Sequence, residues 1–104
     1  MNTRFPIFAA TAALILTSTS AMAAGPVSRA CIASDRASSS YALCSCLQQV
    51  ANKTLTRRDQ RTVAKIFKEP QLAQDIKMSK TTANDVFWER YQVFGATATK
   101  TCSS

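Results

Sequence analysis

The number and placement of the cysteines constrain the fold of this chain more than any other feature of its sequence. All four cysteines lie beyond the first 30 residues, at Cys31, Cys44, Cys46 and Cys102. An even number of cysteines in a short exported chain is typical of a disulfide framework, because such a chain matures in an oxidising compartment. If the chain is exported, we therefore expect two disulfide bonds and no free thiol.

The N-terminal segment has the composition of a secretory signal peptide. Residues 1–4 carry one positive charge, residues 5–16 are almost wholly apolar, and small residues stand at Ala21 and Ala23. This order is typical of an export signal, and we predict cleavage after Ala23, with Ala24 as the close alternative. An apolar stretch of about a dozen residues falls short of the roughly 20 that a spanning helix needs. We therefore predict an exported protein, periplasmic or extracellular, with no transmembrane span after cleavage.

Cleavage of residues 1–23 from the 104-residue chain leaves residues 24–104, which are 81 residues and enough for one small domain. A core of this size gains support from disulfides. Without Arg4, the 13 Lys and Arg residues fall to 12 against six Asp and Glu, a net charge of +6. This charge favours acidic partners. The chain has no histidine, which removes the most common general base and metal ligand.

The predicted mature segment has the pattern of an all-α bundle of four to five short helices, stapled by two disulfides. No alternating strand pattern persists in it, and glycine and proline are scarce. Capping residues and apolar spacing predict helices over residues 27–36, 41–55, 57–68 and 70–76, and a last helix capped by Thr82. Gly95 leaves two alternatives open. The last helix ends there, or it continues and turns Cys102 toward the core.

Apolar spacing also predicts which side of each helix is buried. The predicted core residues are Ala30, Cys31 and Ala33 in the first helix, Leu43, Leu47, Val50 and Thr54 in the second, Val63, Ile66 and Phe67 in the third, and Phe87, Tyr91, Phe94 and Ala98 in the last.

Helical geometry limits how the cysteines can pair. Cys44 and Cys46 are two residues apart on one predicted helix and point about 200° apart, so a bond between them would break that helix. Cys31 and Cys44 lie equally far from the predicted turn near residues 37 and 38, and equidistant residues face each other in a helical hairpin. We therefore favour Cys31–Cys44 with Cys46–Cys102. The alternative is Cys31–Cys46 with Cys44–Cys102.

The predicted third helix is strongly amphipathic, with its apolar residues on one side of the helical wheel and its basic residues on the other. The basic residues are Arg57, Arg58, Arg61, Lys65 and Lys68. They are candidates for binding an acidic protein or an anionic envelope surface, and the competing interpretation is an ordinary solvated helix face. Trp88 lies at the edge of the predicted stripe of Phe87, Tyr91 and Phe94, and it is a further candidate for a partner contact.

Six short segments of the predicted mature chain carry a resemblance to a known family. They are ACI at 30–32, LCSCLQ at 43–48, VAN at 50–52, DQR at 59–61, FWERY at 87–91 and FG at 94–95. In these segments the chain resembles a family of small exported alphaproteobacterial proteins of unknown role, whose members often carry the label "arginine transporter". The resemblance implies no catalytic residue. Since 81 residues without a spanning segment cannot form a translocation path, the label would fit at most an accessory or binding subunit.

No catalytic constellation, cofactor motif or metal-ligand spacing stands out in the sequence, so we predict no enzymatic activity, no cofactor and no metal site. The leading hypothesis is a non-enzymatic exported protein that binds an acidic protein or an anionic envelope surface. We expect no nucleic-acid partner, because no recognition motif is present. One alternative is a thiol–disulfide redox protein that uses Cys44 and Cys46, which would need free thiols. The other is a cationic effector that acts on membranes.

Overall fold

The computed structural model describes residues 12–13, 25–34 and 40–102. Five helices and no strand occur in these ranges: α1 (Pro26–Ala33), α2 (Tyr41–Thr54), α3 (Arg57–Lys68), α4 (Gln71–Met78) and α5 (Thr82–Thr101). The predicted all-helical fold with two disulfides is therefore confirmed. The predicted signal peptide, apart from Ala12 and Ala13, and the predicted turn near residues 37 and 38 lie outside the described residues. The division at residue 23 stays a prediction.

Side chains at the helix starts explain where α2 and α3 begin. The Ser40 hydroxyl accepts the Leu43 N–H at 3.1 Å, one of the N-terminal amides that have no partner within α2. At α3, the Thr56 hydroxyl accepts the Asp59 N–H while the Asp59 carboxylate accepts the Thr56 N–H, which makes a complete capping box. Helix α3 begins and ends where the sequence predicts.

The predicted end of α1 and the predicted start of α4 are wrong by a few residues. Helix α1 stops at Ala33, three residues early, because Ser34 adopts an extended backbone and its hydroxyl donates to the Cys31 carbonyl at 2.7 Å. Ala33, which was expected to face the core, is exposed. Helix α4 begins at Gln71, with Pro70 at its N-cap, and extends into the predicted loop. A proline suits a helix start, since the N–H that it lacks would have no partner there.

Helix α5 is continuous from Thr82 to Thr101, so Gly95 does not end it. The hydroxyl of Thr81, rather than that of Thr82, accepts a first-turn N–H, and the helix therefore starts one residue earlier than predicted. Of the two alternatives for this helix, the continued one is observed. Its C-cap is Cys102, which is thereby brought against α2.

Helix α1 is central to the packing, because it contacts both α2 and α3, while α2 also contacts α5. Helix α4 packs against α5 and, less extensively, against α3. The buried apolar cluster consists of Val27, Val50, Ala51, Leu55, Val63, Ile66, Ile76, Phe87, Phe94 and Ala98. It includes most of the residues predicted for the core of α3 and α5. Phe67 and Tyr91 are half-buried at its edge.

The buried side of α2 is rotated from the predicted one. Leu43 and Leu47 are half-buried, whereas Cys44, Gln48 and Ala51 are buried. The physical reason is α1, which packs against this side of α2 through a disulfide to Cys44 and a hydrogen bond to Gln48. The prediction is correct for Val50, which is 3% exposed, and it leaves out Gln48 because apolar spacing alone contains no reason to bury a glutamine.

The two disulfide bonds have the pairing that the sequence favours. Cys31–Cys44 joins α1 to α2 with a Cα–Cα distance of 5.5 Å, and both residues are buried. Cys46–Cys102 joins α2 to the end of α5 with a Cα–Cα distance of 5.7 Å, and both residues are half-buried. No cysteine in the described ranges is free.

A buried glutamine links α1, α2 and α3. Gln48 Oε1 accepts the Ser28 N–H at 3.0 Å and so caps α1, whose own N-cap residue, Gly25, has no side chain to do this. Gln48 Nε2 donates to Gln60 Oε1 at 2.7 Å and to Asn52 Oδ1 at 2.9 Å. A β-carbon on Gly25 would overlap the side-chain amide of Gln48, so a larger residue there would have to displace this hydrogen-bonded group. Within the described residues, no buried side-chain nitrogen or oxygen lacks a partner.

Candidate anion-binding face

Helix α3 presents its basic residues on the side opposite to its buried ones. Val63 is 2% exposed and Ile66 is 8% exposed. At 100° per residue, the basic residues fall within an arc of about 100°, along a helix roughly 18 Å long. They are Arg57, Arg58, Arg61, Lys65 and Lys68, and all five are exposed. We refer to these five residues as the α3 basic face.

No acidic side chain of the described residues forms an ion pair with the α3 basic face. Within the described residues, the one ion pair joins Arg90 to Asp59, and neither residue belongs to the face. Asp59 is the single acid of α3, and it is buried. The other acids of the described ranges are exposed and lie outside α3: Glu69, Asp75, Asp85 and Glu89. The five cations are therefore available to an external anion.

The buried Asp59 attaches the start of α3 to α5. Arg90 Nε donates to Asp59 Oδ2 at 2.5 Å and Arg90 Nη2 donates to Asp59 Oδ1 at 3.0 Å, which is a bidentate pair. Burial alone would raise the pKa of the Asp59 carboxyl. Hydrogen bonds from Arg90 and Thr56, together with the charge of Arg90, outweigh burial and hold this pKa below its usual range. The pair and the capping box together fix the orientation of α3.

Acid should weaken this attachment. Because the pKa of Asp59 is lower in the folded chain than in the unfolded chain, its contribution to stability is complete above about pH 5 and is lost as the pH falls through the folded value. We expect Asp59→Asn to lower the free energy of unfolding at neutral pH by roughly 1–2 kcal/mol. Urea titrations from about pH 5 to about pH 2 should then show a smaller further loss in this variant than in the wild type.

The matched control for this prediction is Asp85→Asn, since Asp85 is exposed in the first turn of α5 and forms no ion pair within the described residues. This control should keep the pH dependence of the wild type. An Asp59→Asn variant with the same acid sensitivity as the wild type would contradict the role assigned to the pair.

Trp88 is half-buried on α5. Its ring centroid lies 5.3 Å from that of Tyr91, and Lys77 Nζ lies 5.9 Å from its ring centroid. These neighbours belong to α5 and α4. Neither of these contacts involves a residue of the α3 basic face, and the role of Trp88 as a partner contact stays a prediction.

An apolar groove lies between α3 and α5. It has a volume of about 110 Å³ and is lined by Val63, Ile66, Phe67, Tyr91 and Phe94. Pockets for small ligands usually have volumes of roughly 300–1,000 Å³ and several placed polar groups. Here Tyr91 is the one lining residue with a polar side-chain atom. We therefore assign no ligand to this groove.

Two polar interactions that position the site could not be found from sequence spacing. The Asp59–Arg90 pair joins residues 31 positions apart, and the Gln48–Gln60 bond joins side chains that a helical wheel assigns no role. The capping-box spacing at Thr56 was the one sequence signal that pointed to Asp59.

Two further findings concern the described ranges as a whole. They contain no group of three or more His, Cys, Asp or Glu residues that could hold a metal ion. None of their helices combines the length and the apolar character needed to cross a bilayer.

No family model matches the chain, and neither a curated protein nor a solved structure matches it. The resemblance to small exported alphaproteobacterial proteins therefore stays a prediction.

Proposed function

We propose that this chain is a small exported, non-enzymatic protein that binds an anionic partner at the cell envelope through the α3 basic face. The observation that carries the proposal is the arrangement of charge on α3. Five exposed cations share one side of a single helix, and no acid within the described residues pairs with them. Cationic surfaces of this kind attract anionic partners and accelerate their association.

The fold supports this proposal because the helix that carries the cations is anchored to the rest of the domain. Helix α3 is fixed at its start by the capping box and by the Asp59–Arg90 pair, and its opposite side is buried in the core. The five charges therefore have a defined arrangement before any partner arrives, which lowers the entropy cost of binding. Two disulfides support the proposal of export, since such bonds persist in oxidising compartments.

The pairing of the cysteines speaks against the redox alternative. Cys44 and Cys46 are bonded to different helices, so neither is a free thiol that could attack a substrate disulfide. Cys44 and its partner are also buried, at 0% and 2% exposure, which limits access to the bond. A structural role for both disulfides explains these observations with fewer assumptions.

Poly-L-glutamate is a defined anionic probe for the proposal. We expect the disulfide-bonded protein to bind fluorescently labelled poly-L-glutamate at an ionic strength of about 0.1 M, measured by fluorescence anisotropy. Neutralising three cations of the face, with Arg57→Gln, Arg61→Gln and Lys65→Gln, should weaken binding by about tenfold, since each exposed charge contact contributes a fraction of a kcal/mol.

A control variant with the same change in net charge isolates the face from overall charge. It carries Lys53→Gln, Lys80→Gln and Lys100→Gln, three exposed cations outside α3. We expect it to bind within about twofold of the wild type, because charge–charge attraction decays over roughly 10 Å in moderate salt. Equal losses in the two triple variants would show that net charge, rather than the α3 basic face, determines binding.

A further inference from the structure

We infer that the anionic partner is a phospholipid surface, and that the α3 basic face lies flat on its head groups without inserting into the bilayer. This inference rests on the proposed function and names the class of partner. Its three supports are the shape of the face, the chemistry around the five cations and the burial of the apolar side of α3.

The shape of the face suits a planar array of anions. The cations lie along one helix of 12 residues and within about 100° of its circumference, so the surface is a convex row rather than a cleft. A convex row cannot enclose a single acidic side chain or a folded ligand. It can place all five charges near one plane, as anionic head groups require.

The chemistry of the face distinguishes a lipid surface from an acidic protein. Protein–protein interfaces usually depend on a few buried aromatic or apolar anchors near their centre. In the described residues, the large apolar side chains that are exposed all lie outside α3: Ile32, Tyr41, Met78, Val86 and Val93. A surface of cations without such anchors favours diffuse, salt-sensitive attraction to a charged membrane.

The same packing excludes deep insertion of α3. Membrane-inserting helices place their apolar side among the acyl chains. The apolar side of α3 is already occupied, because Val63 and Ile66 are buried in the core. Binding therefore leaves the bilayer intact, which separates this inference from the action of a cationic membrane-disrupting effector.

Cosedimentation with lipid vesicles tests the inference. The disulfide-bonded protein is mixed with vesicles of phosphatidylglycerol and phosphatidylcholine, or with phosphatidylcholine alone, in about 0.1 M salt. We expect binding to the anionic vesicles alone, and release as salt is raised toward about 0.5 M. Each basic residue at a charged surface strengthens binding roughly fivefold, so the Arg57→Gln/Arg61→Gln/Lys65→Gln variant should bind about 100-fold more weakly.

The variant with Lys53, Lys80 and Lys100 changed to glutamine is again the control, and we expect its vesicle binding to stay within about threefold of the wild type. Binding to poly-L-glutamate without binding to anionic vesicles would overturn the lipid inference and leave the proposed function standing. A protein that binds neither poly-L-glutamate nor anionic vesicles would overturn both the lipid inference and the proposed function.

Vesicles loaded with a self-quenching dye separate surface attachment from disruption. We expect no dye release at protein concentrations that saturate binding, because no apolar side of α3 is available for insertion. Release that tracks binding would overturn the flat attachment of α3.

Discussion

Reduction of both disulfides should unfold this protein at physiological temperature. The Cys31–Cys44 bond spans a sequence separation of 13 residues, and the Cys46–Cys102 bond spans 56. In the chain-entropy model, loops of these sizes contribute about 3 and about 4 kcal/mol to the free energy of unfolding. Since a domain of this size has a total stability of the order of 4–12 kcal/mol, losing both bonds removes most of it.

The packing gives a second reason for a large effect. Helices α1 and α5 are each attached to α2 through one bond, and α1 also contacts α3. Short isolated helices are marginal in water, so α1, with eight residues, depends on its tertiary contacts. Loss of the Cys31–Cys44 bond therefore weakens the element that joins α2 to α3.

Circular dichroism with and without a phosphine reductant measures the effect. We expect loss of most of the helical signal near 37 °C after full reduction and alkylation, and a large fall in the thermal midpoint. The double variants Cys31→Ala/Cys44→Ala and Cys46→Ala/Cys102→Ala should each be destabilised by roughly 2–5 kcal/mol in urea titrations.

A variant in which all four cysteines are alanine controls for direct effects of the reductant, since its signal should not respond to reduction at all. A wild-type protein that keeps its helical signal and thermal midpoint after complete reduction would contradict the prediction that the bundle needs its two disulfides to stay folded.

Local patterns explain what could be predicted from the sequence. Helix α3 has a capping box at its start, a proline after its end and separate apolar and basic sides, so its bounds and its exposed face follow from spacing alone. The favoured cysteine pairs required one geometric rule about residues two apart on a helix and one about residues equidistant from a turn. Both rules concern short stretches of chain.

The features that the sequence did not predict depend on contacts between distant segments. The start of α1 is capped by Gln48, which lies 20 residues away, and Arg90 reaches Asp59 across 31 residues. Gly95 carries a local signal for a helix end, yet α5 continues because Phe94 and Ala98 are buried and Cys102 is bonded to α2. Tertiary packing overrides local propensity at each of these points.

The polar contacts that the sequence did not predict also support the candidate site. The α3 basic face needs a helix that keeps its position when charges approach it. That position is held by Asp59 at the start of α3 and by Gln60 through Gln48. The residues that would bind a partner were visible in the sequence, whereas those that hold them in place were visible in the structure alone.

Replacing Gln48 with methionine should lower the free energy of unfolding by roughly 2–5 kcal/mol. Methionine has a similar length but cannot accept the Ser28 N–H or donate to Gln60 Oε1, so these two buried hydrogen bonds are lost. An unsatisfied buried group costs about 1–3 kcal/mol. The exposed Asn52 also contacts the glutamine, but its replacement by alanine should cost about 1 kcal/mol or less, because water can replace it.

A double-mutant cycle separates this cost from a change in packing. If the penalty of Gln48→Met comes partly from the stranded oxygen of Gln60, then adding Gln60→Met removes that oxygen, and the double variant should be destabilised by less than the sum of the single variants. Urea titrations followed by circular dichroism give the free energies of unfolding of the wild type, the two single variants and the double variant. Strictly additive losses would mean that the Gln48–Gln60 bond contributes nothing beyond side-chain volume. The link between α2 and α3 would then have to come from the apolar cluster and from the hydrogen bonds that Gln60 donates to Ala51 and Asn52.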